Sequence, residues 1–160
     1  MSKNLVIVTG YFGAPIKEES MKIAEGRGFA CLSLDREIEK RDGRSITRLC
    51  MMNGEHGYRN QEYEILNELN ESPDTDGLVV ACGDGVLYDD MSREIAEANE
   101  LVIVGDDLSA DDLWSRAKTQ DSSYHAFMAF GSEEEKRAAF EKYLDRQRAL
   151  FEKIGGKDDL

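Results

Sequence analysis

The sequence predicts a three-layer α/β fold, a parallel sheet with helices on both faces. Four apolar runs, residues 5–8, 29–34, 78–82 and 101–104, are nearly continuous rather than alternating, which is how strands buried on both faces read. Stretches of helical period separate them, and a crossover of that kind is what parallel neighbours require. At 160 residues the chain is long enough for one core, so a single domain is expected over residues 1–154, with a short polar tail at 155–160.

The elements follow in order. Strand 5–8 leads into the glycine turn Gly10-Tyr11-Phe12-Gly13, and a helix is expected over 18–27. Strand 29–34 ends in Asp35. Two helices are expected at about 45–53, opening on Ser45 as N-cap, and at about 58–71. Ser72-Pro73-Asp74-Thr75-Asp76-Gly77 is a turn cluster before strand 78–82, which ends in Gly83-Asp84-Gly85. Helix 89–97, strand 101–104, helix 109–118, an irregular stretch to Gly131 and a long helix 132–154 complete the chain. Open parallel sheets bind ligands at the carboxyl ends of their strands, where Gly10, Asp35 and Gly83-Asp84-Gly85 fall.

Charge and composition exclude several classes. The formal charge is −13, from 33 acidic against 20 basic residues, and no basic stripe exceeds Lys40-Arg41. That argues against nucleic acid or an anionic membrane as partner. No apolar run has membrane-spanning length and no secretory segment follows Met1, so a cytoplasmic location is expected. Cys31, Cys50 and Cys82 share no C-x-x-C spacing, and His56 and His125 stand apart, so no metal site is expected. The cysteines in or beside apolar strands read as buried, reduced hydrophobes.

The turn after the first strand has the place and rhythm of a phosphate-binding loop without its chemistry. A working loop reads G-x-x-x-x-G-K-[ST], with a second Gly to free an amide, a Lys for the phosphates and a hydroxyl for Mg²⁺. Counting from Gly10, those places hold Pro15, Ile16 and Lys17, and Glu18 follows. Proline has no N–H to offer an anion. Glu18 and Glu19 already occupy the positive end of the helix dipole.

Several motifs match a known family in order and spacing: Gly10-Tyr11-Phe12-Gly13; Ser33-Leu34-Asp35-Arg36-Glu37-Ile38-Glu39 with Gly43-Arg44-Ser45-Ile46; Tyr58-Arg59-Asn60-Gln61-Glu62; Ala81-Cys82-Gly83-Asp84-Gly85; and Gln147-Arg148-Ala149-Leu150-Phe151. On them the chain resembles the shikimate kinases, P-loop small-molecule kinases, from Asn4 to Ile154. The resemblance implies a parallel αβα fold, an ATP- and Mg²⁺-binding loop through Gly10, Gly13 and Lys17, and an adenine-stacking role for Arg116. It also implies a shikimate site of Asp35, Arg59, Gly83 and Gly85, with Asp35 as base, Arg59 forking onto the carboxylate and Glu62 steadying that Arg.

The departures sort by ligand. Ser33 stands where the family has a Mg²⁺-holding Asp, and residues 119–135, where the family carries a lid with an essential Arg, contain no Lys or Arg. On the acceptor side Asp84 replaces the middle Gly of a glycine triplet, and Gln147, flanked by Arg146 and Arg148, replaces a second carboxylate-binding Arg. Plainer readings stand beside these: Asp35 capping a helix that begins at Arg36, Arg59 with Glu62 as a helical i,i+3 pair, and Arg116 as a solvated helix end. The family continues into a fifth strand beyond Ile154, so the edge of strand 101–104 is expected to be open, which suits a homodimer.

The expectation is a shikimate kinase-like pseudoenzyme without a cofactor, which binds a small hydroxy acid such as shikimate weakly or serves protein interaction. The alternative is a divergent active kinase using ATP and Mg²⁺, with Asp35 as base, Lys17 on phosphate and Arg59 on the carboxylate. A third reading is a regulatory partner of another enzyme of the aromatic pathway.

Overall fold

The computed structural model describes residues 4–72, 76–119 and 125–156. They form two compact units, one of residues 4–10 and 15–104, the other of residues 11–14 and 105–156. The first unit is the α/β part. Strands β1 (Leu5–Gly10), β2 (Ala30–Ser33), β3 (Leu78–Ala81) and β4 (Glu100–Val104) make a parallel sheet in the order β2-β3-β1-β4. Val6 pairs with Val79 on one side and Glu100 on the other.

Every residue of β1 is buried, as its unbroken apolar run requires. Val6, Val8 and Val79 point to one face and pack with Ala24 of helix α1 (Ile16–Arg27), backed by Ile23, Phe29 and Val102. By strand alternation Leu5, Ile7 and Val80 point to the other face and are equally buried. Full burial of one such aliphatic side chain contributes about 1.5–3 kcal/mol, so the central strands anchor the unit.

Helix α2 (Leu34–Asp42), which the sequence reading gave only as the plainer alternative of a helix beginning at Arg36, has Leu34 and Ile38 buried one turn apart. The segment is short and charged, so its two apolar residues left little period to read. Its N-cap is Ser33, whose hydroxyl accepts from Arg36 N–H at 3.4 Å. Asp35 therefore does not cap it. Helix α3 (Ile46–Glu71), capped by Ser45, joins the two expected helices and breaks at Gly54, whose φ of 76° and ψ of 171° are closed to most side chains. Helical backbone resumes directly after Gly54, so Glu55 lies on the same helix as Arg59.

Helix α4 (Asp90–Glu97) completes the first unit, capped by Asp89, whose carboxylate accepts from Ser92 N–H at 2.9 Å. Cys82 is buried, as expected, but Cys31 is exposed because β2 is an edge strand covered poorly at that point. At the opposite edge, β4 is half-buried from Leu101 to Val104.

The second unit is helical. It contains α5 (Ala110–Ala117), capped by Ser109, a 3-10 turn at Ala126–Met128, and α6 (Glu133–Gly156). Part of the expected turn cluster (Pro73, Asp74, Thr75), the lid-like residues 120–124 and the tail residues 157–160 lie outside the described residues. Among the described residues no helix is long and apolar enough to cross a membrane.

Candidate functional site

Within the first unit, Asp35, Arg59, Gly83 and Gly85 come together. Asp35 stands in the first turn of α2, Arg59 on α3 beyond the Gly54 break, and the glycines follow β3. Arg59 is 8% exposed and Glu62 is fully buried, and Arg59 Nη1 donates to Glu62 Oε1 at 2.7 Å. Its Nη2 donates to Glu55 at 3.1 Å. Glu55, Arg59 and Glu62 share one helix face because they are four and three residues apart. The Arg59–Glu62 pair is thus helical, as the plainer reading has it, but it is also buried, which isolated surface pairs are not.

Both glycines are needed for this packing. A Cβ on Gly85 would collide with Arg59 Nη2, so the guanidinium lies directly against the turn backbone. A Cβ on Gly83 would stand 2.9 Å from Tyr58 Oη, 3.7 Å from Glu62 Oε2 and 3.8 Å from Asp35 Oδ2. Three oxygens from two helices, α2 and α3, therefore close tightly on the Gly83 backbone. Tyr58 Oη itself donates to Asp35 Oδ1 at 2.5 Å, and the Arg59 guanidinium lies 4.8 Å from the Tyr58 ring centre.

The electrostatics are crowded with negative charge. Asp35, Glu62 and the buried Asp84 cluster around one buried guanidinium, with the exposed Glu55 on its far side. Burial pushes the Glu62 carboxyl up to about 7, Arg59 pulls against that, and Asp35 and Asp84 add to the rise. Burial likewise raises Asp35, with Tyr58 opposing and Asp84 reinforcing. Two buried atoms of this cluster have no hydrogen-bond partner, Arg59 Nε and Glu62 Oε2. Buried polar atoms are rarely left so.

In the second unit the loop Tyr11–Ala14 is buried throughout. Phe12 N–H donates to Oε1 of the fully buried Gln147 at 2.9 Å, and Ala14 N–H donates to Tyr11 O at 2.9 Å. Gly13, at φ 98°, has no room for a Cβ, which would collide with Leu113 O. Its carbonyl accepts from Arg116 Nε at 2.7 Å, so Arg116 is neither simply solvated nor a bare platform. The Phe12 ring packs 4.3 Å from the buried His125 and 5.8 Å from Phe140. Arg146 and Arg148, beside Gln147, are exposed on α6. In the first unit Gly10 ends β1 where a Cβ would collide with Val104 O, and Lys17 is exposed near the start of α1 behind Pro15.

Sequence reasoning assigned no chemistry to Tyr58 and did not notice Glu55. Tyr58 carried a signal, since it immediately precedes the matched Arg59. Glu55 became visible once the helix was seen to restart just after Gly54. Among the described residues no group of three or more His, Cys, Asp or Glu is arranged to hold a metal ion.

A family model described as shikimate kinase matches residues 17–155, starting just after the glycine turn. The shikimate kinase of Chlorobium limicola is 36% identical over 100 residues, which is 62% of this chain and 49% of that protein. The shikimate kinase of Aromatoleum aromaticum is 30% identical over 114 residues, 71% of this chain and 63% of that one. The chain thus spans about half the length of the curated relatives it matches. Among solved structures, shikimate kinase from Acinetobacter baumannii in complex with shikimate aligns with a TM-score of 0.78 at 24% identity, over 96% of this chain and 80% of that one. The shikimate kinase from Bacteroides thetaiotaomicron aligns with a TM-score of 0.78 at 20% identity, over 94% and 82% of the two chains. At those identities the likeness is one of fold.

Proposed function

The chain belongs to the shikimate kinase family, and we propose that it is a member that has given up phosphoryl transfer while keeping a small-molecule pocket. The observation that carries this is the occupied loop. A triphosphate with Mg²⁺ needs free amides, an ammonium and oxygen ligands for the metal. The groups here do not fit it. The Phe12 amide is taken by Gln147 and the Ala14 amide by Tyr11 O, while Pro15 has none to give. Glu18 and Glu19 fill the first turn of α1, and the Ser33 hydroxyl is engaged as the α2 cap. Phosphoryl transfer is catalysed almost wholly by positioning and charge neutralisation, so a chain without these groups retains little of the reaction.

The cluster of Asp35, Tyr58, Arg59, Glu62 and Gly83 keeps two buried polar atoms without hydrogen-bond partners, Arg59 Nε and Glu62 Oε2, which supports binding of a small hydroxylated molecule. Shikimate, held by the Acinetobacter relative, would bind weakly here because both Nη atoms of Arg59 already carry carboxylates. Calorimetry with ATP·Mg²⁺ tests the reading. The expected dissociation constant is no tighter than about millimolar, worth about 4 kcal/mol. A micromolar constant, or turnover of shikimate with ATP, overturns it in favour of a divergent kinase. A second reading, self-association, is favoured by the half-buried apolar edge strand β4.

A further inference from the structure

We propose that Glu55 is an internal stand-in for a ligand carboxylate: it holds Arg59 in the free chain, leaves when the carboxylate of a small hydroxylated acid arrives, and so sets that ligand's affinity. This role rests on the cluster taking a small hydroxylated molecule, as the functional reading has it. Three observations carry it.

The first is the unequal burial of the pair. Arg59 Nη2 and Glu55 Oε1 meet at 3.1 Å, yet the Arg59 side chain is 9% exposed and that of Glu55 is 72% exposed. The other partner, Glu62, has no exposed side-chain surface and holds Nη1 at 2.7 Å. One carboxylate is fixed in the interior and the other lies at the surface. An ion pair with a water-exposed member contributes little to stability, because water solvates the released charge well. Glu55 is therefore the member free to leave.

The second is a half-filled edge. A guanidinium presents its Nε–H and Nη2 as a two-pronged edge that fits the two oxygens of one carboxylate. Glu55 meets only Nη2, and the buried Nε has no hydrogen-bond partner. A ligand carboxylate lying across both nitrogens satisfies the donor that Glu55 leaves orphaned. The exchange keeps the charge balance of Arg59 and adds a hydrogen bond to a buried group, where an unmade one is costly.

The third is room to move. Glu55 resumes helix α3 directly after Gly54, where a Cβ would meet nothing within 4 Å. Residues 51–56 are all exposed. Among the described residues the Glu55 carboxylate has no hydrogen-bond partner besides Arg59. A departing Glu55 side chain therefore swings into water and uncovers Arg59 from the surface.

Calorimetry on the full chain with shikimate and with its methyl ester, which lacks the charged carboxylate, tests the proposal. Glu55→Ala is expected to tighten shikimate roughly tenfold, a difference of about 1.4 kcal/mol, and to leave the ester unchanged. Glu64→Ala, an exposed position on the same helix with the same change of charge, is expected to leave shikimate unchanged. Melting of Glu55→Ala is expected to match that of the wild type, because the pair it breaks is half in water. The proposal is overturned if Glu55→Ala binds shikimate no more tightly than the wild type does, if Glu64→Ala tightens it equally, or if the ester gains as much as the acid. Binding by the wild type without a gain in Glu55→Ala defeats the proposal and leaves the functional reading standing, whereas absence of binding in every variant defeats both.

Discussion

The pocket beside Gly83 and the loop Tyr11–Ala14 make a useful contrast, because both are glycine turns and they have gone opposite ways. In the loop the polar groups are spent internally: Phe12 N–H on Gln147, the Gly13 carbonyl on Arg116, and the rings on a buried aromatic cluster. In the pocket, buried polar atoms are left over, Glu62 Oε2 and Arg59 Nε among them. A turn whose hydrogen bonds are all satisfied by the chain is scaffolding, and a buried carboxylate without its donor is a cost that a ligand can offset. Residues that replace family ones can therefore mean different things. Gln147 is recruited to hold the loop, whereas Asp84 adds charge to the carboxylates around Arg59.

The largest effect should come from breaking the buried pair. Arg59→Leu strands Glu62 in a fully buried position, so a loss of about 3–5 kcal/mol in urea unfolding is expected. A change below about 1 kcal/mol would mean that Glu62 is protonated and the pair counts for little. On the loop side, Gln147→Leu removes the acceptor of the buried Phe12 amide and should cost about 1–3 kcal/mol without altering ligand binding in the pocket. If that variant instead gained ATP affinity, Gln147 would be a plug rather than a strut, and the contrast would sharpen.

Acidity separates the two regions further. The Glu62 carboxyl is raised to about 7, first by burial, so the folded chain holds that proton more tightly than the unfolded chain does. Its contribution to stability is complete below the ordinary carboxyl value of about 4.3 and is lost as pH rises through 7. Glu62→Gln should therefore show a shallower fall in stability between those limits, measured by melting at successive pH values. An identical profile would place the raised carboxyl elsewhere, with Asp35 the next group to test. The smallest effect concerns the sheet edge. On the wild-type chain, sedimentation is expected to show a dimer, and a wild-type monomer would remove the self-association reading.

Much of the fold was legible because it rests on repeated, strong signals. Continuous apolar runs at 5–8 and 78–82 mark strands buried on both faces, and Ser45 as cap and Ser109 as first residue mark helix starts to within a residue. Helix α2 was legible only as an alternative starting at Arg36 with the wrong cap, since two apolar residues among seven polar ones carry too little period and its cap, Ser33, looked like the end of a strand. Cys31 was misjudged for a related reason: apolar neighbours along the chain do not tell an edge strand from a central one.

The sequence by itself determined the fold class, the family motifs and the absence of a Lys and a second Gly from the loop, because those depend on residue identity and on spacing along the chain. What each polar residue does was decided by tertiary structure. Burial and hydrogen-bond partners come from residues distant in sequence, and nothing local in Tyr58, Glu62 or Gln147 says which will meet Asp35, which will be left with an orphaned oxygen and which will hold Phe12. Both backbone angles of Gly54 leave the helical region, and because helix resumes at Glu55, four residues before Arg59, its carboxylate reaches the guanidinium.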